Sequence, residues 1–167
     1  MVLELKYVSE KRDYFSDIIR FVKKSKHKKI CYVTYEKTCG VLKNLFDKKN
    51  VEIDLFCCID CISKSENRSE KEGNCQFIPV PYELKQVSAA IKRALKKGCT
   101  LVIFDSLSSL LKYGIMVPTG AIIEFVNSFL SALEKKKGDA IFICNKKDKG
   151  SLLVEEIMPV IDKVVGK

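Results

Sequence analysis

Residues 99–111 read CTLVIFDSLSSLL: an apolar run, Thr100 to Phe104, ends on a single acidic residue, Asp105, and hydroxyl residues follow at Ser106, Ser108 and Ser109. A continuous hydrophobic run marks a strand buried on both faces of a parallel sheet. Open α/β sheets bind ligands beyond the carboxyl ends of such strands, so Asp105 stands where a ligand or its metal ion would be met. The plainer alternative is that the carboxylate caps the turn or helix that follows.

Working outward, strand-like and helix-like segments alternate. Val2 to Val8 reads as a weak first strand. Tyr14, Phe15, Ile18, Ile19 and Val22 recur at helical spacing over residues 14–24. Lys29 to Tyr35, KICYVTY, is a buried strand, and residues 38–48 follow as a helix with Val41, Leu42, Leu45 and Phe46 turned inward. Residues 51–62 contain a further strand around LFCCI. Residues 63–74, SKSENRSEKEGN, are polar and charged throughout and form a surface loop. Cys75 to Val80 is a short extended piece. Residues 81–97 are a helix, 113–120 a loop, and 121–137 a long amphipathic helix that Gly138 ends. Ala140 to Asn145 is a strand, 152–160 a helix, and 161–165 a last short strand. This alternation implies right-handed βαβ units, hence a three-layer α/β/α domain with a mostly parallel sheet. The 167 residues fit one domain, with no internal repeat and no linker.

The charge is strongly basic: thirty Lys and Arg against twenty-one Asp and Glu, a net +9. Such an excess attracts polyanions. The lysines are scattered, however, and fall near helix ends, where cations oppose the helix dipole. No apolar run approaches the ~20 residues that span a bilayer. MVLELKYVSEKRD has no basic stretch leading into an apolar one, so no secretory signal and a cytoplasmic location are expected. The eight cysteines lie mostly in apolar runs, where a free thiol behaves as a small hydrophobe.

The order of these segments, with VTYEK after the second strand, VIFDSLSSLL as the central strand, FICN and a terminal VIDKVV, resembles the RecA-like ATPase core, and within it the KaiC-like group common in archaea. The resemblance runs roughly from Ile30 to the end. It implies that Asp105 takes the place of the Walker B carboxylate, which holds a magnesium-bound nucleotide. It also implies that Ser106 lies at that nucleotide site, that Glu36 is the first of a catalytic Glu pair, and that Asn145 takes the place of a polar sensor. Two departures stand against activity. G-x-x-x-x-G-K-[ST] is nowhere in the chain, and the junction after the first strand, Tyr7-Val8-Ser9-Glu10-Lys11-Arg12-Asp13-Tyr14, has no glycine. A phosphate loop needs glycines so that backbone N–H groups can close on phosphate oxygens. Lys37, moreover, replaces the second glutamate.

Three competing signals are weaker. NKKD at Asn145 to Asp148 spells a guanine-reading pattern, but without a phosphate loop it reads as a lysine-rich turn. Cys58-x-x-Cys61 with Cys57 and Cys75 invites zinc, yet structural zinc takes four ligands in close pairs, Cys75 has no neighbour in sequence, and Cys57 and Cys58 point to opposite faces of a strand. No metal is therefore expected. His27, the only histidine, sits among lysines in an expected exposed turn with no carboxylate beside it.

The sequence thus predicts a single RecA/KaiC-like domain over 1–167 that no longer hydrolyses ATP. Glu36 is a vestigial catalytic residue; Asp105, Ser106 and Asn145 are a vestigial nucleotide–magnesium site. No cofactor is expected, ATP with magnesium being the one candidate. The expected partner is a protein, either a second copy or an active RecA/KaiC-like ATPase; no membrane is involved. The alternatives are an atypical Mg-nucleotide-dependent ATPase and a basic nucleic-acid-binding protein.

Overall fold

The computed structural model describes residues 1–9, 13–63, 74–113 and 116–166. Seven strands form one sheet: β1 (Leu3–Val8), β2 (Lys29–Thr34), β3 (Leu55–Asp60), β4 (Cys75–Phe77), β5 (Leu101–Asp105), β6 (Asp139–Asn145) and β7 (Lys163–Val165). Their order is β4-β3-β2-β5-β6-β1-β7, and every pairing is parallel. Among the described residues six α-helices connect them: α1 (Tyr14–Lys24), α2 (Cys39–Lys48), α3 (Leu84–Lys96), α4 (Leu107–Leu110), α5 (Ala121–Lys135) and α6 (Leu152–Ile157). The expected three-layer α/β/α arrangement is the one observed.

Strand parity sorts the core. Cys31, Val33, Val102, Phe104, Ala140 and Phe142 face α3, α5 and α6. Ile30, Tyr32, Leu101, Ile103, Ile141 and Ile143 face α1 and α2. Alternate residues of a strand point to opposite faces, so strands covered on both sides must be apolar throughout. Leu101 to Phe104 meet that demand, each 1% exposed or less.

The expected elements are all present, with shifted edges. The helix anticipated from Pro81 begins at Leu84, with Glu83 as its N-cap residue. The short α4 was not anticipated; Ser106 caps it by accepting the Ser109 N–H at 3.1 Å. At the end of α5 the left-handed residue is Lys137 (φ 50°), not Gly138. Gly138 is needed for space: a Cβ there would lie 2.6 Å from Leu133 Cδ1 and 2.7 Å from the Thr100 carbonyl. The 63–74 loop falls largely, and Glu10, Lys11 and Arg12 fall wholly, outside the described residues.

His27 corrects an expectation. It is 7% exposed, not in an open turn. Nδ1 lies 3.0 Å from Thr100 Oγ1 and Nε2 lies 2.7 Å from Asp139 Oδ2. The carboxylate that orients it comes from 112 residues away in sequence. The ring ties the amino-terminal ends of β5 and β6 together, far along the strands from Asp105.

Candidate functional site

Asp105 ends β5, the central strand, and is fully buried. The register places Thr34 opposite Asp105 and Tyr32 opposite Ile103. Tyr32 and Asp105 therefore share the face covered by α1 and α2. Tyr32 donates its hydroxyl to Asp105 Oδ2 at 2.6 Å. Tyr14, the first residue of α1, donates to Asp105 Oδ1 at 3.0 Å and reaches Oδ2 at 3.3 Å. Both carboxylate oxygens are thus engaged by phenols. The Tyr32 ring is itself locked edge-on against Phe46 at 6.1 Å, and Lys37 Nζ lies 5.7 Å from the centre of the Tyr14 ring.

The electrostatics follow from this enclosure. Burial pushes the Asp105 carboxyl up to about 6; the two phenol bonds and Lys37 oppose that rise, and Glu36 adds to it. Both tyrosines are raised above their ordinary value, burial first and the adjacent carboxylate second, so they remain protonated donors.

Of the four anticipated site residues, Glu36 turns toward the same end of the sheet. Its carboxylate accepts from Ser109 Oγ and lies 3.9 Å from Lys112 Nζ. It is an exposed loop residue that also reaches a hydroxyl of α4. Ser106 performs the capping once considered for Asp105, and its hydroxyl lies 2.9 Å from Ser109 Oγ. Asn145 ends β6, where its backbone N–H donates to Ser108 Oγ at 2.7 Å. The NKKD stretch after it is a single 3-10 turn, Lys146–Asp148. Tyr14 and Tyr32 were missed. Their signal was present: a phenol on a buried face must find a partner for its hydroxyl.

The start of α1 is the other half of the site. Asp13 is its N-cap; Oδ1 accepts the Phe15 N–H at 3.2 Å and Oδ2 the Ser16 hydroxyl at 2.9 Å. A helix N-terminus is a ready anion site, and here the helix's own carboxylate occupies it. A cleft of about 760 Å³ opens on the opposite side of the sheet, between α3 and α5, lined by Tyr82, Ser88, Met116 and Phe125 among others. Asp105, Glu36, Ser106 and Asn145 are not among its lining residues.

The cysteines also depart from expectation. Cys58 and Cys61 fall on opposite faces, so the C-x-x-C pair does not converge. Cys75, expected to lack a neighbour, stands in register with Cys58 across β3 and β4. The Cys39 sulfur lies against the sulfurs of both. The remaining five cysteines are free and buried.

No family model and no curated protein matches the sequence. Solved structures do. The chain is similar to a KaiC-like protein, PH0186, from the hyperthermophilic archaeon Pyrococcus horikoshii OT3, with a TM-score of 0.59, 15% identity, and 98% of this chain covered against 71% of that one. It is similar to the flagellar accessory protein FlaH from Methanocaldococcus jannaschii at 0.59 and 15%, covering 98% and 69%. It is similar to the RadB recombinase at 0.58 and 14%, covering 93% and 70%. The fold is therefore that of the RecA/KaiC-like proteins. Among the described residues, no helix is long and apolar enough to cross a membrane.

Proposed function

We propose that this RecA/KaiC-like domain no longer hydrolyses ATP and serves as an interaction or regulatory protein, with nucleotide binding weak or lost. The observation that carries the reading is the Tyr14 hydroxyl on Asp105. A magnesium-holding carboxylate needs a lone pair turned to the ion or its water. Here Tyr14 and Tyr32 take both oxygens in a buried site. Releasing one hydrogen bond to a charged group costs about 1.5–3 kcal/mol, and the freed phenol would need a new partner. The Asp13 cap adds a negative charge where phosphates would approach α1. Lys37 in place of a second glutamate removes half of the family's catalytic pair.

The partner this reading implies is a second copy of the chain or an active ATPase of the same fold, since RecA-like domains work by packing side by side. Thermal unfolding with and without millimolar Mg-ATP tests the loss of nucleotide. A ligand bound only by the folded state must raise the midpoint, so an unchanged midpoint is expected. A clear rise, or ATP turnover abolished by Asp105→Asn, would overturn the proposal in favour of an atypical ATPase. Light scattering of the isolated chain, and of its mixture with a RecA-like ATPase, tests the partner. Retention on single-stranded DNA that vanishes with modest salt would instead favour the basic nucleic-acid reading.

A further inference from the structure

Three sulfurs from three separate elements meet on the face opposite the α3–α5 cleft. Cys39 is the first residue of α2, Cys58 lies in β3, and Cys75 opens β4. Their ligand atoms lie within 4.8 Å of one another. Cα separations are 5.8 Å for Cys39–Cys58 and 6.5 Å for Cys39–Cys75. Cys39 and Cys58 are buried and Cys75 is half-buried.

The Cys39 sulfur lies against both other sulfurs. Sulfur has valence for one disulfide. A disulfide therefore leaves the third thiol packed against it without a bonding role. One cation engages all three at once. We infer that Cys39, Cys58 and Cys75 form a three-thiolate site for a single thiophilic cation of the zinc class, with the fourth position left to water or an exogenous donor.

The backbone holds each donor in place, as a metal site requires. The Cys39 N–H donates to Asp60 Oδ2 at 3.1 Å. Asp60 is pinned in turn by the Ile62 and Ser63 N–H groups, both at 2.9 Å, and by the Ser63 hydroxyl at 2.7 Å. With those bonds made, Asp60 anchors the site rather than ligating it. The Cys58 N–H donates to the Asn74 carbonyl at 3.0 Å, and the parallel register sets Cys75 beside Cys58. Thr38 caps α2 and so fixes Cys39 as the first residue of the helix. A zinc–sulfur bond of about 2.3 Å in tetrahedral geometry sets sulfurs about 3.8 Å apart; the Cys39 sulfur lies closer than that to both others, so its side chain draws back to seat an ion. Thiolate donors select soft and borderline ions such as zinc over magnesium or calcium. Starting from the three reduced thiols, binding releases three protons to solvent and changes no oxidation state.

The site does not depend on the fate of Asp105, so its test is separate. The reduced, chelator-treated full chain is titrated with cadmium, following the sulfur-to-cadmium charge-transfer absorbance, and with zinc, following alkylation of each cysteine by mass spectrometry. The expected result is one cation per chain, a band of three-thiolate intensity, and zinc protection of Cys39, Cys58 and Cys75 alone. Cys39→Ser, Cys58→Ser and Cys75→Ser should each weaken cadmium binding by more than about 100-fold, since even outer-shell changes cost 10–100-fold. Cys57→Ala, on the opposite face, should leave it unchanged. The protection pattern needs no variant and stands even where one fails to fold. No protection at these three, protection centred on Cys31, Cys57 and Cys99, or a stable disulfide that persists in place of metal uptake under mild reductant would each overturn the site.

Discussion

Two carboxylates, one at each end of the central strands, are tuned in opposite directions. Asp105 at the carboxyl end is fully buried, its carboxylate bonded among the described residues by two neutral phenols, and its pKa is pushed up to about 6. Asp139 at the amino end sits on the rim. Burial raises it, but bonds from His27 and the Val2 N–H outweigh that, and the result lies below the ordinary value. Neutral donors in a dry site only partly replace water around a charge. Donors at a wet rim, with backbone N–H and imidazole, replace it fully. The carboxyl end of β5 is thus closed over by phenols, while the opposite end is stapled.

The largest effect should be the pH response of Asp105. A carboxyl raised from 3.8 to about 6 on folding contributes stability that is full below pH ~4 and lost as pH rises through ~6. That amounts to about 3 kcal/mol. Denaturant unfolding of the native chain and of Asp105→Asn between pH 4 and 7 should diverge by that amount, the native chain losing ground as pH rises. Parallel curves would mean that Asp105 is not enclosed.

Removing one phenol sharpens the same point. Tyr14→Phe keeps the ring and deletes a donor to a buried carboxylate, so a loss of about 1.5–3 kcal/mol is expected near pH 7. The loss should shrink at pH 4, where Asp105 is neutral. A loss independent of pH would assign the effect to packing instead.

Asp139→Asn should show the reverse sign and a smaller size. A carboxyl lowered on folding contributes stability present above pH ~4 and lost as pH falls through its folded value. The native chain should therefore lose its advantage over Asp139→Asn on acidification, and identical acid limbs would contradict the staple. Smallest of all is Lys112→Ala. Its amine is 3.9 Å from Glu36 and largely exposed, so unfolding midpoints should barely move.

Much of this was legible in advance. KICYVTY and TLVIF announce buried strands because only strands covered on both faces lack polar residues. The 14–24 and 121–137 periodicities announce amphipathic helices for the same reason. Asp105 was legible because a charge at the end of an apolar run demands an account. The tyrosines were harder: Tyr32 looked like one more apolar core residue, and Tyr14 like the first residue of a helix face. Only the β2–β5 register and the seat of α1 bring both hydroxyls to one carboxylate. His27 and Asp139, far apart in sequence, meet for the same kind of reason.

What the amino-acid order determined by itself is the layering, the parallel sheet and the absence of glycine between Val8 and Tyr14, since periodicity and backbone freedom are local properties. What tertiary structure decided is which polar groups meet: phenols on Asp105, imidazole on Asp139, and three sulfurs around one point. Those meetings depend on strand register and helix placement, which set separations of a few ångströms between residues that the sequence holds far apart.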